Sequence, residues 1–142
     1  MDDGFARAGR RIAVITAQDG PAAALLAAGM SEAYKASIPL LAIVQEAPRA
    51  NADRNAFQEL DHEKLFSDCA KWVRRIDVPG RAAEYTERAI CVATSGRPGS
   101  VVLLVSPDVL TATCERGSAL PQGGDEPFVT QFQCFTAGQP LE

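Results

Sequence analysis

The sequence predicts an α/β fold, in which a mainly parallel sheet is covered by helices. Short apolar runs rich in β-branched residues alternate with longer segments of strong helix formers. Turn residues separate the two kinds of segment, and strand–helix–strand repeats of this kind form right-handed crossovers between parallel strands. The chain has 142 residues, which is enough for one domain with a substantial core.

The first strand and the first long helix are predicted at residues 12–17 and 22–35. The strand segment is apolar without interruption, which is typical of a strand covered on both faces. Pro21 stands where the first helical turn begins, a position that tolerates a missing N–H. The first two helical turns are small and apolar all round, so we expect them to be largely buried. Residues 2–8 look like the end of an earlier helix.

A second buried strand is predicted at residues 40–44, after Pro39 has ended the helix. A long polar loop follows over residues 45–55. Because the strands are parallel, this loop is expected to rise from the same edge of the sheet as the turn around Gly20.

The remaining elements are a helix, a strand and an ambiguous segment. Residues 72–76 are a candidate for a short edge strand. Apolar residues recur with helical spacing over residues 79–94, and residues 101–105 form the last buried strand. The pattern ends after Asp108, so we predict one domain over residues 1–110 and a linker or irregular tail over residues 111–142.

Charge and composition exclude several function classes. The chain has 14 Lys and Arg against 18 Asp and Glu, a net charge of −4, which argues against nucleic-acid and anionic-membrane partners. No apolar run is long enough to span a membrane, and the first residues do not resemble a secretory signal. We therefore expect a cytoplasmic protein. The four cysteines and His62 lack close ligand spacing, so no metal site is predicted.

The most informative local feature is the turn over residues 18–22, between a strand and a helix. Ligands of open α/β sheets bind beyond the carboxyl ends of strands, where helix N-termini offer free N–H groups. Gly20 and Ala22 would allow a flat ring or an anion to approach the backbone closely. On spacing alone, an ordinary strand-to-helix turn explains these residues better. Neither a P-loop nor a dinucleotide-binding motif is present.

The loop and the residues after it are the second candidate site. Long loops often carry function, and this region offers the Glu46 carboxylate, the Gln58 amide and the Phe57 ring. A solvated surface loop is the alternative. Glu59, Asp61 and His62 form a possible acid/base cluster, but no nucleophile accompanies them, and helix capping with solvated charge is the favoured explanation. No catalytic residue is predicted.

Several short segments, in this order, resemble one enzyme family. They are residues 3–8 (DGFARA), 20–21 (GP), 31–34 (SEAY), 37–43 (SIPLLAI), 48–49 (PR), 55–59 (NAFQE) and 94–99 (TSGRPG). Over residues 2–110 the chain resembles the N-terminal, pyrimidine-binding domain of thiamine-diphosphate-dependent enzymes of the acetolactate synthase type. Each motif alone is weak, but together they are specific.

The resemblance implies a flavodoxin-like parallel sheet sandwiched by helices. In such enzymes this domain holds the aminopyrimidine ring, while a pyrophosphate-binding domain, usually of a partner subunit, holds the diphosphate and Mg²⁺. The chemistry is formation or cleavage of a C–C bond at a 2-oxo acid. The implied cofactor-binding residues are Gly20, Pro21, Ala22, Leu25 and Glu46, and the implied substrate-facing residues are Phe57 and Gln58.

The chain also departs from the family pattern. The family's first strand and helix, and the glutamate that activates the cofactor, match no residue from Met1 onward. Leu25 replaces an asparagine and Glu46 replaces a glutamine. The diphosphate motif is missing. We therefore expect a truncated or split gene product that is inactive alone and completes its site in a homo- or hetero-oligomer.

Two other functions stay open. The domain is alternatively a non-catalytic dimerisation or regulatory module, in which Leu25 and Glu46 mark the loss of the cofactor site. A generic α/β domain for a small ligand, with an incidental resemblance, is the third hypothesis.

Overall fold

The computed structural model describes residues 2–9 and 11–113 of the chain. Along the chain, the helices and strands are α1 (Asp2–Gly9), β1 (Ala13–Ala17), α2 (Pro21–Lys35), β2 (Leu40–Gln45), α3 (His62–Phe66), β3 (Trp72–Ile76), α4 (Ala82–Thr94), β4 (Ser100–Val105) and α5 (Pro107–Leu110). Single 3₁₀ turns lie at Arg49–Asn51 and Pro79–Arg81.

The four strands form one parallel sheet in the order β1-β2-β4-β3. The predicted α/β class is thereby confirmed, and the ambiguous segment at Trp72–Ile76 is an edge strand. Every residue of β4 is buried, because this strand lies between two others and is covered on both faces. All four strands end at the same edge of the sheet, where the turn after β1 and the loop after β2 lie.

Helices cover both faces of the sheet and create two cores. On one face, Met30 and Ala33 of α2 and Phe66 of α3 belong to a cluster with Val44 and Leu104. The cluster on the other face is formed by residues of α4 and of the strands, among them Ala89, Ala93, Leu41, Leu103 and Ile76. The small residues of α4 permit close packing on the sheet.

Two expectations about burial are wrong. The first strand is an edge strand in the described part of the chain, and Val14 is 53% exposed. The opening of α2 is also largely exposed, since Pro21, Ala22 and Leu25 face outward and only Ala23 in this part is buried. Only one face of a helix can contact the sheet. The other faces of an apolar helix therefore stay exposed unless another element packs on them.

A half-buried lysine, Lys71, ties the end of α4 to the sheet. Lys71 Nζ donates to the carbonyl oxygens of Val92, Ser95 and Arg97 at 2.6, 2.7 and 3.1 Å. Burial lowers the pKa of Lys71. These carbonyls lie at a helix C-terminus, where a cation is favoured by the helix dipole and by unpaired acceptors.

Replacing Lys71 with methionine is expected to lower the free energy of unfolding by about 2 kcal/mol. The substitution keeps the apolar stem and removes charged hydrogen bonds, each of which contributes roughly 1.5–3 kcal/mol when fully formed. Urea denaturation measures the change. Lys64→Met on the exposed surface is the matched control and is expected to leave the midpoint unchanged, because that ammonium is 87% exposed. Equal denaturation midpoints for the two variants would contradict the role of Lys71 in capping the C-terminus of α4.

The described residues end shortly after α5, at Thr113. Most of the predicted tail at residues 111–142 therefore lies outside the described residues. Among the described helices, none is both long and apolar enough to cross a membrane.

Candidate functional site

The turn between β1 and α2 has an unusual backbone at Gly20. Its φ is +60° and its ψ is −116°, a combination that residues with a side chain rarely adopt. This conformation reverses the chain so that Pro21 starts α2 directly at the carboxyl edge of the sheet. The sequence-predicted turn therefore lies where ligands of parallel sheets bind.

The loop after β2 packs directly on this turn. A Cβ atom added to Gly20 would lie 2.7 Å from Gln58 Cβ and 2.8 Å from the Gln58 carbonyl oxygen. Gln58 itself has a φ of +64°. The structure thus confirms that the turn and the loop meet at one edge of the sheet, and the glycine is required by their close approach.

Beside this contact, the predicted site residues form an exposed apolar surface. Phe57 is 89% exposed and Leu25 is 80% exposed, while Pro21 and Ala22 also face outward. Among the large hydrophobic side chains that the structure describes, Phe57 and Leu25 are the most exposed, and contiguous apolar patches on a surface often mark ligand or partner sites. We call Pro21, Ala22, Leu25 and Phe57 the apolar rim.

A carboxylate closes the loop that carries Phe57. Glu59 accepts hydrogen bonds from the backbone N–H groups of Asp53 at 2.7 Å and Ala56 at 2.8 Å. These N–H groups lower the pKa of Glu59. The loop is therefore held in shape by its own residues rather than left as a solvated chain, which fits a loop that presents a side chain in a defined place.

Arg49 anchors the start of the same loop. Its guanidinium forms an ion pair with Asp108, and its Nη1 donates to the carbonyl oxygen of Asp77 at 2.8 Å. Asp108 follows β4 and Asp77 follows β3, so Arg49 joins the ends of three neighbouring strands. The Pro48–Arg49 motif thus has a structural role at this edge.

A buried polar network lies directly beneath the turn. Asp19, Glu46 and His62 are 7%, 8% and 1% exposed. Asp19 Oδ1 accepts from the Gly20 N–H at 2.8 Å and lies 3.3 Å from His62 Nε2. The other ring nitrogen, Nδ1, lies 3.6 Å from Glu46 Oε1. Glu46 also accepts two hydrogen bonds from Arg75, at 2.6 and 3.0 Å. We call the three buried residues Asp19, Glu46 and His62, together with the partly exposed Arg75, the buried network.

Burial affects the two carboxyl groups of the network differently. Desolvation raises the pKa of Asp19, and the Gly20 N–H and His62 offset only part of the effect. Desolvation also acts to raise the pKa of Glu46, but the contacts with His62 and Arg75 outweigh it, so this pKa is below its ordinary value. Glu46 is therefore a carboxylate that is fully engaged inside the protein.

The explanation of residues 59–62 as capping and solvated charge is half correct. Asp61 caps α3 by accepting from the Lys64 N–H at 3.1 Å, as expected. His62 is not solvated, because the helix turns its ring into the protein. One pattern in the sequence indicates this: His62 and Phe66 are one helical turn apart, and both are buried. Arg75, the partner of Glu46, was not predicted as a site residue.

A separate cavity of about 700 Å³ opens beside the loop. Charged residues dominate its lining, including Glu46, Arg49, Glu59, Glu63 and Arg75. No residue of the apolar rim lines it. Within residues 2–9 and 11–113, no group of His, Cys, Asp and Glu side chains has the arrangement of a metal site.

The chain matches known proteins over most of its length. Residues 1–65 match the family described as thiamine pyrophosphate enzyme, N-terminal TPP binding domain. A probable acetolactate synthase large subunit of Methanocaldococcus jannaschii is 36% identical over 141 residues, which cover 99% of this chain and 23% of that protein.

Two further relatives agree with this match. An acetolactate synthase of Arthrospira platensis is 35% identical over 107 residues, covering 75% of this chain and 18% of that protein. A sulfoacetaldehyde acetyltransferase of Rhodobacter capsulatus is 32% identical over 127 residues, covering 89% and 21%. The chain thus spans about a fifth of the length of these relatives. With its parallel sheet and its family match, the chain belongs to the thiamine pyrophosphate enzymes, as an acetolactate-synthase-like N-terminal domain.

Proposed function

We propose that this chain holds the aminopyrimidine ring of thiamine diphosphate in an acetolactate-synthase-like enzyme that makes or breaks C–C bonds of 2-oxo acids. The observation that carries the proposal is the apolar rim beside the Gly20 turn, which is exposed at the carboxyl edge of the sheet. We further propose that residues 1–110 form this domain and that residues 111–142 are a linker or tail.

The residues of the rim suit a flat heteroaromatic ring. Pro21 and Ala22 are small, apolar and exposed at the start of α2, whereas Gly20, also predicted to bind the cofactor, is buried against Gln58. Leu25 follows one turn later and extends the apolar surface. Phe57 and Gln58, on the adjoining loop, would face the substrate. When bound, the cofactor supplies the electron sink, and the protein supplies orientation.

The exposed apolar rim also suggests that this domain binds a partner. The diphosphate and Mg²⁺ are assigned to a pyrophosphate-binding domain or subunit, because the relatives are about four times as long as this chain. We propose that the isolated chain is inactive and that the site is completed in a homo- or hetero-oligomer.

One observation favours a second candidate function. Glu46 is among the residues predicted to bind the cofactor, yet its carboxylate is committed to Arg75 and His62. A domain that has lost cofactor binding and acts in dimerisation or regulation would tolerate this. Such a module would self-associate through the apolar rim without any dependence on thiamine diphosphate.

Calorimetric titration with thiamine diphosphate and Mg²⁺ separates the two candidates. We expect weak or no binding by the chain alone and clear binding after addition of a pyrophosphate-binding domain from a relative. Ala22→Phe, which places a ring on the rim, is expected to weaken this binding at least tenfold. Ala28→Phe, on an exposed part of the same helix, is the matched control and is expected to bind within twofold of the unmodified chain.

Two results would contradict the proposal. No gain in binding on addition of the partner domain would remove the cofactor role. Equal weakening by both phenylalanine variants would show that the rim is not the binding surface. Cofactor-independent self-association in size-exclusion chromatography, together with either result, would support the dimerisation module.

A further inference from the structure

The loop that carries Phe57 has a backbone conformation that its residues do not favour on their own. Asp53, Asn55 and Gln58 have φ values of +62°, +53° and +64°. Among the residues that the structure describes, only one other residue with a side chain, Ser37, has a positive φ. Each such residue costs free energy, which the surrounding contacts have to offset. Contacts must therefore hold this loop in its shape.

Apolar packing contributes little to the shape of the loop. From residue 51 to residue 60, every residue is either exposed or only partly buried. Phe57 itself is 89% exposed, so its ring does not anchor the loop. The shape of the loop therefore depends on its polar contacts and on the contact between Gln58 and Gly20.

We propose that Glu59 is a positioning residue, whose carboxylate holds this loop in shape and thereby fixes the place of Phe57 at the edge of the sheet. That this place is the substrate side of the site rests on the proposed function. The positioning of Phe57 by Glu59 does not depend on it.

The Glu59 carboxylate bridges the loop with both of its oxygen atoms. Oε1 accepts from the Asp53 N–H at 2.7 Å, and Oε2 accepts from the Ala56 N–H at 2.8 Å. The Glu59 N–H donates in turn to the Ala56 carbonyl oxygen at 3.0 Å. Hydrogen bonds to a carboxylate are roughly twice as strong as those between neutral groups. One side chain thus holds the loop at Asp53, where the first positive φ lies, and at Ala56, next to Phe57.

Phe57 lies between two residues that are both held in place. Ala56, on one side, is bound by Glu59. Gln58, on the other side, packs so closely on the turn that a Cβ atom added to Gly20 would lie 2.8 Å from the Gln58 carbonyl oxygen. The backbone position of Phe57 is therefore set from both directions, although its ring is exposed. Without the Glu59 contacts, only the Gln58 side would remain.

This role requires a carboxylate rather than an amide. A carboxylate has two acceptor oxygens, whereas the glutamine side chain has one acceptor oxygen and an NH₂ group. In Glu59→Gln, the NH₂ group would face the N–H of either Asp53 or Ala56, so one of the two hydrogen bonds would be lost. The N–H groups of Ala56 and Asp53 lower the pKa of Glu59, which agrees with a carboxylate that is bound in its charged form.

The first test uses the full, unmodified chain without cofactor, labelled with ¹⁵N. NMR relaxation gives an order parameter for each backbone N–H, which is about 0.85 in a rigid backbone and below about 0.6 in a flexible one. We expect Asp53, Ala56 and Phe57 to have the values of a rigid backbone. A flexible backbone at Phe57 would overturn the proposal.

The second test removes the acceptors one after the other. In Glu59→Gln, we expect the amide of Asp53 or Ala56 to exchange with solvent at least tenfold faster, because one charged hydrogen bond is lost. In Glu59→Ala both bonds are lost, and the Phe57 order parameter is expected to fall below about 0.6. Glu63→Gln is the matched control, since it removes the same charge where the carboxylate lies 3.8 Å from Arg75. It is expected to leave the Phe57 order parameter unchanged.

The order parameters of β4 separate positioning from a general loss of stability. We expect the amides of this buried strand to stay rigid in Glu59→Ala while Phe57 becomes flexible. An unchanged Phe57 in Glu59→Ala, an equal fall in Glu63→Gln, or a simultaneous loss of order in β4 would refute the positioning role. If the variants do not fold, the order parameters of the unmodified chain still decide whether Phe57 is fixed. Because no cofactor is present, a failure of thiamine diphosphate binding would leave these results unaffected.

Discussion

Alanine in place of Gly20 is expected to destabilise the protein by about 3 kcal/mol and to displace the loop that carries Phe57. The added Cβ would meet Gln58 Cβ at 2.7 Å and the Gln58 carbonyl oxygen at 2.8 Å, and a backbone oxygen in a packed loop gives way only if the loop moves. A positive φ adds strain of roughly 1–3 kcal/mol, and overpacking adds a similar amount. Urea denaturation gives the free energy of unfolding, and amide shifts of the loop report its displacement.

Gly29→Ala is the matched control for this prediction. Gly29 lies on the exposed side of α2 and has open space around an added Cβ. Because alanine favours the helix by about 1 kcal/mol over glycine, this variant is expected to be as stable as the unmodified chain or slightly more stable. If Gly20→Ala were as stable as Gly29→Ala, the close approach of the turn and the loop would be absent in solution.

The second large effect is expected from Arg75→Met, which we predict lowers the free energy of unfolding by about 2–3 kcal/mol. Loss of the guanidinium leaves the Glu46 carboxylate buried with His62 as its remaining partner. Breaking fully buried ion pairs costs roughly 3–5 kcal/mol, and we expect less here because the Arg75 side chain is 41% exposed. Chemical denaturation at neutral pH measures the difference.

Two further variants isolate the cause. Adding Glu46→Gln to Arg75→Met removes the orphaned charge and is expected to restore part of the lost stability. Arg74→Met, at the neighbouring exposed position of β3, is expected to change stability by no more than about 0.5 kcal/mol. A double variant that is less stable than Arg75→Met alone would show that the Glu46 charge is not the source of the destabilisation.

Much of the fold follows from local sequence. The strands β2 and β4 were predictable because both faces of each are covered, which demands an unbroken apolar run. The strand β3 was ambiguous because it is an edge strand, and its two arginines interrupt the apolar pattern. The exposure of β1 and of the α2 opening was not predictable, since composition shows that a surface is apolar but not whether a neighbour covers it.

The candidate site, like the fold, was predictable from the sequence only in part. Strand topology alone brings the Gly20 turn and the loop with Phe57 to one edge, because parallel strands share a direction. The buried network needs contacts between residues far apart in the chain, such as Glu46 with Arg75, which are 29 positions apart. No local pattern pairs these residues. Only the helical spacing of His62 and Phe66 indicates that the histidine points inward.

The most direct test of the cofactor role is a crystal structure of this chain with a pyrophosphate-binding domain, thiamine diphosphate and Mg²⁺. We predict that the aminopyrimidine ring contacts Pro21 and Ala22 beside Gly20, with Phe57 on the substrate side. A ring bound in the charged cavity beside Arg49, or a partner domain that covers the apolar rim and leaves no room for the ring, would contradict it.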